Sequence, residues 1–569
     1  MKYTQGNKGK IIPGFGISAV ITLGMFCFIV LIPLASVLSA AVTIGPDRFR
    51  SVLTDKNVVS AFATSVTMSA LAAFINAVFG TILAWVLVRY EFPGKRLIDA
   101  IVELPFAMPT AVAGITLSKM YSTTGQPGAL LSRMGIYVSY TRLGILVALV
   151  FAGIPFAVRT VMPVLEKMSG VYEEAAYSLG AKPIQIFFRV ILPEIIPAVL
   201  TGFSLSFARG IGEYGSIIYI SGNSAKEHTQ MISYIIMQKL NYMDYESAAV
   251  IGFVMLMISF AVLLVINILQ SWQSKRVDGA EEAAVSFRGA YINTSGAVKG
   301  GLILISVLFI TLMLILPLIS VIYNAFAGGL LFYLQSISTG YVRASLFITL
   351  IAVVFAVCVN TIFGISASWL ITRFDFKGKK LLSSAIDLPF SICPVIAGLS
   401  FIMMFGRLGW AYPALQWINN TFHLNIQIVF ALPGVVLATI FVTFPFVSRE
   451  IIPVLNAKGK DEEEAAAMMG AGFFHIFRHV TFPHIKWACC YGMILCMARA
   501  LGEFGAVSAL SKTRGKTFTL PLEIDALYMS GNADSITAAF SVSSVLIAIS
   551  IVILIIRNIF EYREKTRCM

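Results

Sequence analysis

EEAAYSLGAKPIQIFFRVILP, residues Glu173 to Pro193, and EEAAAMMGAGFFHIFRHVTFP, residues Glu463 to Pro483, stand 290 positions apart in a chain of 569 residues. Each opens on Glu-Glu-Ala-Ala, places a glycine four residues after the second alanine (Gly180, Gly470) and closes on an apolar residue before proline. Acidic residues in a first turn suit the helix dipole, small alanines let another surface come close, and glycine lets the chain turn, so each stretch predicts a short helix built to touch something. Asp461 with Glu464 three residues on reads as an N-terminal cap of the second helix, and Val171 removes the equivalent cap from the first.

Around these segments the chain is 58% hydrophobic and only 12% charged, where soluble domains carry about a quarter charged residues. That composition is a membrane protein's and excludes most soluble enzymes. Windows of roughly 20 apolar residues fall near 15–42, 59–88, 98–118, 142–164, 195–220, 247–269, 301–325, 343–371, 383–406, 427–448, 487–510 and 536–556. All twelve are expected to be helices, because lipid offers backbone amides no partner and the short alternating strands of a barrel are missing. Residues 15–42 exceed the apolar region of a signal peptide and read as a retained span. The net charge of +13 is scattered between spans and forms no basic face, so no nucleic-acid partner is expected. None of the seven cysteines forms CxxC, which indicates neither a disulfide framework nor a metal site.

The polar stretch from Gln270 to Gly300 lacks helical periodicity and separates two halves of six spans. The expected division is 1–270, a linker 271–300 and 301–569. The halves repeat one another. Val88 to Arg96 (VRYEFPGKR) returns as Thr372 to Lys380 (TRFDFKGKK), and Glu103 to Gly114 (ELPFAMPTAVAG) as Asp387 to Gly398 (DLPFSICPVIAG), both offset by 284. Ile154 to Leu165 matches Phe444 to Leu455, and ARGIGEYG (Ala208 to Gly215) matches ARALGEFG (Ala498 to Gly505), offset by 290. An even number of spans per half makes the repeat parallel, with a pseudo-twofold axis along the membrane normal and the pathway on it. Lys and Arg are roughly twice as frequent on the side of the N-terminus, which predicts both termini and both Glu-Ala-Ala loops in the cytoplasm of a multi-pass cell-membrane protein.

Charge inside a span costs several kcal/mol, so Arg209 with Glu213 and Arg499 with Glu503 demand a reason. Four-residue spacing puts each pair on one helix face, where the charges neutralise each other. Alternatively the four border the central path, the arginines offering forked donors to a tetrahedral oxyanion. Sixteen residues from Pro193 put Arg209 roughly 24 Å into a core of about 30 Å, in the outer half. The glycines around these charges suit close packing or a hinge, and Pro105, Pro109, Pro389 and Pro394 break spans three and nine without a ligand role. His475, His479 and His484 read as a solvated loop face.

The two Glu-Ala-Ala loops resemble those of ABC-importer permeases, in which a coupling helix docks on an ATP-hydrolysing subunit. The resemblance extends to the sulfate/thiosulfate branch and covers nearly the whole chain: LVRYEFPGKR, GIPFAVRTVMPVLE and ARGIGEYGSIIYISGN resemble one permease subunit, and DLPFSICPVIAGL, DEEEAAAMMGA and GKTFTLPLEI its partner. Val190 and Val480 stand where the motif usually has Ile, and Phe482 replaces Leu, all still apolar. The resemblance implies an all-α integral membrane protein with the type I importer permease fold, two subunits fused into one chain of twelve transmembrane helices. It implies ATPase coupling through Glu174, Ala175, Ala176 and Gly180 and through Glu464, Ala465, Ala466 and Gly470. It further implies two ABC ATPase subunits that use ATP and Mg, an extracytoplasmic sulfate-binding protein, surrounding lipid, no cofactor bound directly and no enzymatic activity of the chain's own. Molybdate or tungstate is the alternative cargo. An ion-coupled secondary transporter would have no use for two matched loops. Glu281 to Ala284 and Gly515-Lys516-Thr517 mimic a coupling loop and a phosphate-binding loop, but Arg288 and Leu510 stand where each motif needs glycine.

Overall fold

The computed structural model describes residues 12–168, 171–281 and 296–568. The first half runs through α1 (Phe15–Thr43), α2 (Lys56–Arg89), α3 (Lys95–Val102), α4 (Thr110–Tyr121), α5 (Arg142–Lys167), the short α6 (Val171–Ser178), α7 (Pro183–Ile211), α8 (Ile232–Asn241) and α9 (Tyr245–Glu281). The second half repeats that order in α10 (Gly296–Ala325), α11 (Gly340–Arg373), α12 (Lys379–Ile386), α13 (Pro394–Phe405), α14 (Leu432–Lys458), the short α15 (Asp461–Met468), α16 (Phe482–Leu501), α17 (Leu520–Met529) and α18 (Ala533–Cys568). Among the described residues there is no strand.

Among the described residues nine of these helices, α1, α2, α5, α7, α9, α10, α11, α14 and α18, are long and apolar enough to cross a membrane. The chain is a multi-pass membrane protein. The other three of the twelve expected spans are modified in ways the sequence explains. Span three is broken: the arm Lys95–Phe106 and α4 meet at 107°, because Pro105 and Pro109 lack the amide hydrogens that a continuous helix needs. Span nine breaks in the same place, into α12, Leu388–Ser391 and α13, at Pro389 and Pro394. Span eleven is α16, which carries His484, Lys486 and Arg499. Spans five and eleven also stop short of their apolar windows, capped at Gly212 and Gly502.

Two local expectations are corrected. Helix α9 continues through 270–281, inside the stretch read as an irregular linker, since those residues include no proline and many good helix formers; residues 282–295 lie outside the described residues. Asp461 is the first helical residue of α15 and not its cap: Lys460 holds the cap position without a side-chain hydrogen bond, and Asp461 joins three glutamates in the positive end of the dipole.

The halves embrace. Helix α1 packs on α11 and α13 of the other half, with Phe15 edge-on to Phe374 at 5.3 Å, and α10 packs on α2 and α4, with Phe309 stacked on Phe79 at 4.6 Å. Within each half a three-helix core forms from α2, α5 and α7, and from α11, α14 and α16. A buried asparagine ties each core: Asn76 Nδ2 donates to Ser206 Oγ at 3.0 Å, and Asn360 Nδ2 to Thr443 Oγ1 at 2.8 Å. These bonds satisfy polar groups where lipid cannot. Gly153 stands where Thr443 stands in the repeat, and a Cβ there would come within 2.2 Å of Asn76 Nδ2, so only glycine leaves room.

Candidate functional site

Helices α6 and α15 are held from inside by one buried ion pair each. At the end of α2, Arg89 Nη2 lies 2.6 Å from Glu173 Oε1, with both side chains almost fully buried. At the end of α11, Arg373 pairs with Glu463, donates to the Leu455 carbonyl at 3.0 Å, and shares Glu463 with Thr481, whose hydroxyl donates to Oε1 at 2.5 Å. Burial pushes the Glu173 carboxyl up, and the Arg89 charge pulls it back. The first glutamate of each Glu-Glu-Ala-Ala is therefore the anchor. The second glutamates, Glu174 and Glu464, for which the resemblance implies ATPase coupling, are half-buried, as are Ala176 and Ala466. The overlooked signal was present: Arg89 and Arg373 recur at equivalent positions of the quoted repeat.

The outer faces of α6 and α15 are bare. Ala175, Ala465, Gly180 and Gly470 are exposed, and Leu179 and Met469, equivalent residues ahead of each glycine, are both 89% exposed. Both glycines adopt left-handed backbone, φ 83° and 86°, while a Cβ on either would meet nothing within 4 Å. They are needed for the turn and not for space. The next amides, Ala181 and Ala471, bond back to the carbonyls of Ala176 and Ala466 at 3.1 Å, ending each helix in the six-to-one turn that a C-terminal glycine permits.

The second constellation lies on the pseudo-twofold axis. One cavity, with about 720 Å³ of atom-free space partly open to solvent, is lined in matched pairs: Pro105 with Pro389, Phe106 with Phe390, Phe156 with Phe446, and Arg209 with Arg499. The broken helices thus build its wall, with Pro105, Pro389 and Pro394 among the lining residues. Arg209 Nη2 lies 2.7 Å from Glu213 Oε2, and Arg499 Nη2 lies 2.7 Å from Glu503 Oε2. Both glutamates are fully buried, while both arginines keep part of their surface on the cavity. The ion-pair and cavity-lining roles coexist. Each pair straddles the end of α7 or α16 and does not lie on one helix face, because the helices stop at Ile211 and Leu501. The carboxylates cap the turns that follow: Glu213 Oε1 accepts from Ser216 N at 3.1 Å and Ser216 Oγ at 2.9 Å, and Glu503 Oε1 from Ala506 N at 3.0 Å.

Next to these glutamates, Tyr214 and Phe504 stack across the axis, ring centroids 5.9 Å apart. The cavity lies on the α6/α15 side of the rings, level with α7 residues before Arg209, since Ala157 and Gly153 of its wall helix α5 face Gly202 and Ser206. Glycine closes the contact between halves: a Cβ on Gly212 would lie 3.0 Å from Cys393 Cα, and one on Gly502 3.1 Å from Pro109 Cα. Close packing and a helix end occur at the same glycines. Beyond the rings, Tyr219 of one half donates to Asp525 of the other at 2.8 Å.

Unforeseen is a charge cluster between α3, α5 and α18. Arg159 pairs with Glu103 at 2.9 Å and Asp99 at 2.8 Å, and Arg557 of the second half also pairs with Glu103. The counterpart is the single pair Arg449–Asp387 at 2.7 Å. Among the residues set aside, His484 pairs with Glu462 at 2.8 Å, and Thr517 of the false phosphate loop accepts from Ser511 Oγ and Thr513 N within its own turn.

The sulfate transport system permease protein CysT of Salmonella typhimurium is 43% identical over 270 residues, which span 48% of this chain and 97% of that protein. The sulfate transport system permease protein CysW of Escherichia coli is 40% identical over 270 residues, 47% of this chain and 90% of that one. A solved bacterial ABC transporter involved in import of the acidic polysaccharide alginate aligns with TM-score 0.38 and 18% identity over 46% of this chain and 94% of its own. The family described as binding-protein-dependent transport system inner membrane component matches twice, at residues 76–279 and 360–566. The chain belongs to that family and carries two of its inner-membrane permease components in one polypeptide.

Proposed function

We propose that this chain is the complete transmembrane path of an ATP-driven importer for sulfate and thiosulfate. The relatives at 40% identity and above are sulfate permeases, and each aligns with about half of the chain. The observation that carries the reading is the pair of matched short helices. Each is clamped inside by a buried Arg–Glu pair and bare outside around Leu179 or Met469. An apolar face left uncovered at equivalent places in both halves calls for a partner that is itself present twice. Two ATPase subunits meet that need, docking on α6 with Glu174, Ala175, Ala176 and Gly180 and on α15 with Glu464, Ala465, Ala466 and Gly470. They supply the ATP and Mg chemistry; the chain binds no cofactor and hydrolyses nothing itself.

The basic bias of the loops supports a cytoplasmic position for α6, α15 and both termini. In that orientation the stacked Tyr214 and Phe504 close the outer side, the cavity opens inward, and an external binding protein delivers sulfate above the rings. The path passes Arg209, Glu213, Arg499 and Glu503. The two permease units divide between the end of α9 at Glu281 and the start of α10 at Gly296. Expression in a strain that lacks its sulfate permease genes, with the cognate ATPase and binding protein, restores uptake of labelled sulfate. Sulfate uptake that stays at the background of the empty strain while labelled molybdate is taken up would overturn the choice of cargo.

A further inference from the structure

The cavity presents two guanidinium groups, and in the structure each is already occupied by an anion of the protein's own. Arg209 and Arg499 face the same partly open cavity from the two halves, and two forked donors suit a tetrahedral dianion better than any other pairing in that wall. The wall is otherwise proline, phenylalanine, Met108 and aliphatic side chains with the hydroxyls of Ser216 and Thr110. Glu213 and Glu503 hold the guanidiniums at 2.7 Å and are themselves sealed from solvent. An oxyanion entering here must compete with two buried carboxylates for the same donors.

We propose that Glu213 and Glu503 are built-in competitors that keep the transmembrane oxyanion site between Arg209 and Arg499 weak, so that a sulfate released from the binding protein passes through without being trapped. The inference rests on the reading of the central cavity as the oxyanion path. A path with two uncompensated arginines in a low-dielectric wall would bind a dianion tightly and release it slowly, because charge-assisted bonds strengthen where water is excluded. With internal carboxylates the guanidiniums exchange one anion for another, and the net cost of arrival and departure is small. The same carboxylates tie this exchange to the rings. Glu213 precedes Tyr214 and caps the Ser216 turn, and Glu503 precedes Phe504 and caps the Ala506 turn. Displacement of either arginine by an entering oxyanion loosens the link between a helix end and its ring.

Glutamine separates charge from cap, since its carbonyl oxygen still accepts the Ser216 and Ala506 amides while the competing negative charge is gone. The test uses the permease assembled with its ATPase subunits in lipid nanodiscs, without binding protein, and measures equilibrium retention of radiolabelled sulfate. The wild-type complex retains little. The Glu213→Gln, Glu503→Gln double variant retains sulfate about tenfold more tightly, the change expected when a competing charge contact worth one decade of affinity is removed. Adding Arg209→Gln and Arg499→Gln to it abolishes the retention. Unaltered elution volume and unaltered ATPase co-purification show that the glutamine variant is assembled. An assembled glutamine variant whose sulfate retention equals the wild type overturns the proposal. Absence of sulfate uptake by wild-type cells would instead overturn the cargo reading, so the two failures are distinct.

Discussion

Tyr214 and Phe504 occupy the same position in the two halves and stack on each other, planes 10° apart and centroids 5.9 Å apart. A residue can meet its own counterpart only on the axis that relates the halves, so this contact marks the centre of the path. Aromatic stacking contributes about 0.5–1.5 kcal/mol beyond burial. The double variant Tyr214→Ala, Phe504→Ala is therefore expected to leak: labelled sulfate leaves preloaded proteoliposomes without ATP several times faster than through the wild type. Efflux at the wild-type rate would place the seal elsewhere.

Removal of one partner of a buried ion pair costs about 3–5 kcal/mol, because the other charge is left without compensation. Glu173→Ala and Glu463→Ala are expected to lose the ATPase subunits on purification while the membrane helices stay folded. The second anchor has the additional Thr481 hydroxyl bond, so Thr481→Val weakens it by about 1.5–3 kcal/mol, less than loss of the ion pair. Pull-down of the ATPase by each variant, beside far-UV circular dichroism, checks the order Glu463→Ala and Glu173→Ala below Thr481→Val, and Thr481→Val below wild type.

Gly180 and Gly470 have open space around them and left-handed backbone. A bulky β-branched residue there costs about 1–2 kcal/mol through the backbone, whereas asparagine tolerates that region. Gly180→Val with Gly470→Val inserts at normal levels and loses most sulfate uptake; the matching asparagine variant keeps more than half of it. Equal activity of the two variants would show that the turn is not what transport needs.

Charge alone does not satisfy the cavity account. Arg209→Lys with Arg499→Lys preserves both positive charges and loses the fork, and uptake is expected to fall about tenfold or more, the loss of one good charge-assisted bond. Exchange of Arg209 and Glu213 cannot separate a purely structural pair from an anion contact, because it also removes the cap on Ser216. Near-normal uptake by the double lysine variant at wild-type abundance would contradict an oxyanion contact.

The spans, the repeat and both loop helices were legible because they depend on local composition and on fixed offsets of 284 and 290. The anchors were not: Arg89 and Glu173 lie 84 residues apart, and nothing local in either motif announces the other. Their recurrence as Arg373 and Glu463 was the one available signal. Cross-half packing was hidden for a different reason, since the apolar faces of α1 and α10 suit lipid, their own half or the other half equally well until the tertiary fold selects one. The embrace through Phe15–Phe374 and Phe79–Phe309 is visible only in three dimensions. Asp461 illustrates the limit of capping patterns, where a shift of one residue turned an expected cap into a first-turn charge.

The central claim is that one polypeptide supplies both permease components and both docking helices. Native mass spectrometry of the complex co-expressed with its ATPase tests this most directly. The account predicts one copy of this chain with two ATPase subunits. A complex that holds two copies of this chain would contradict it.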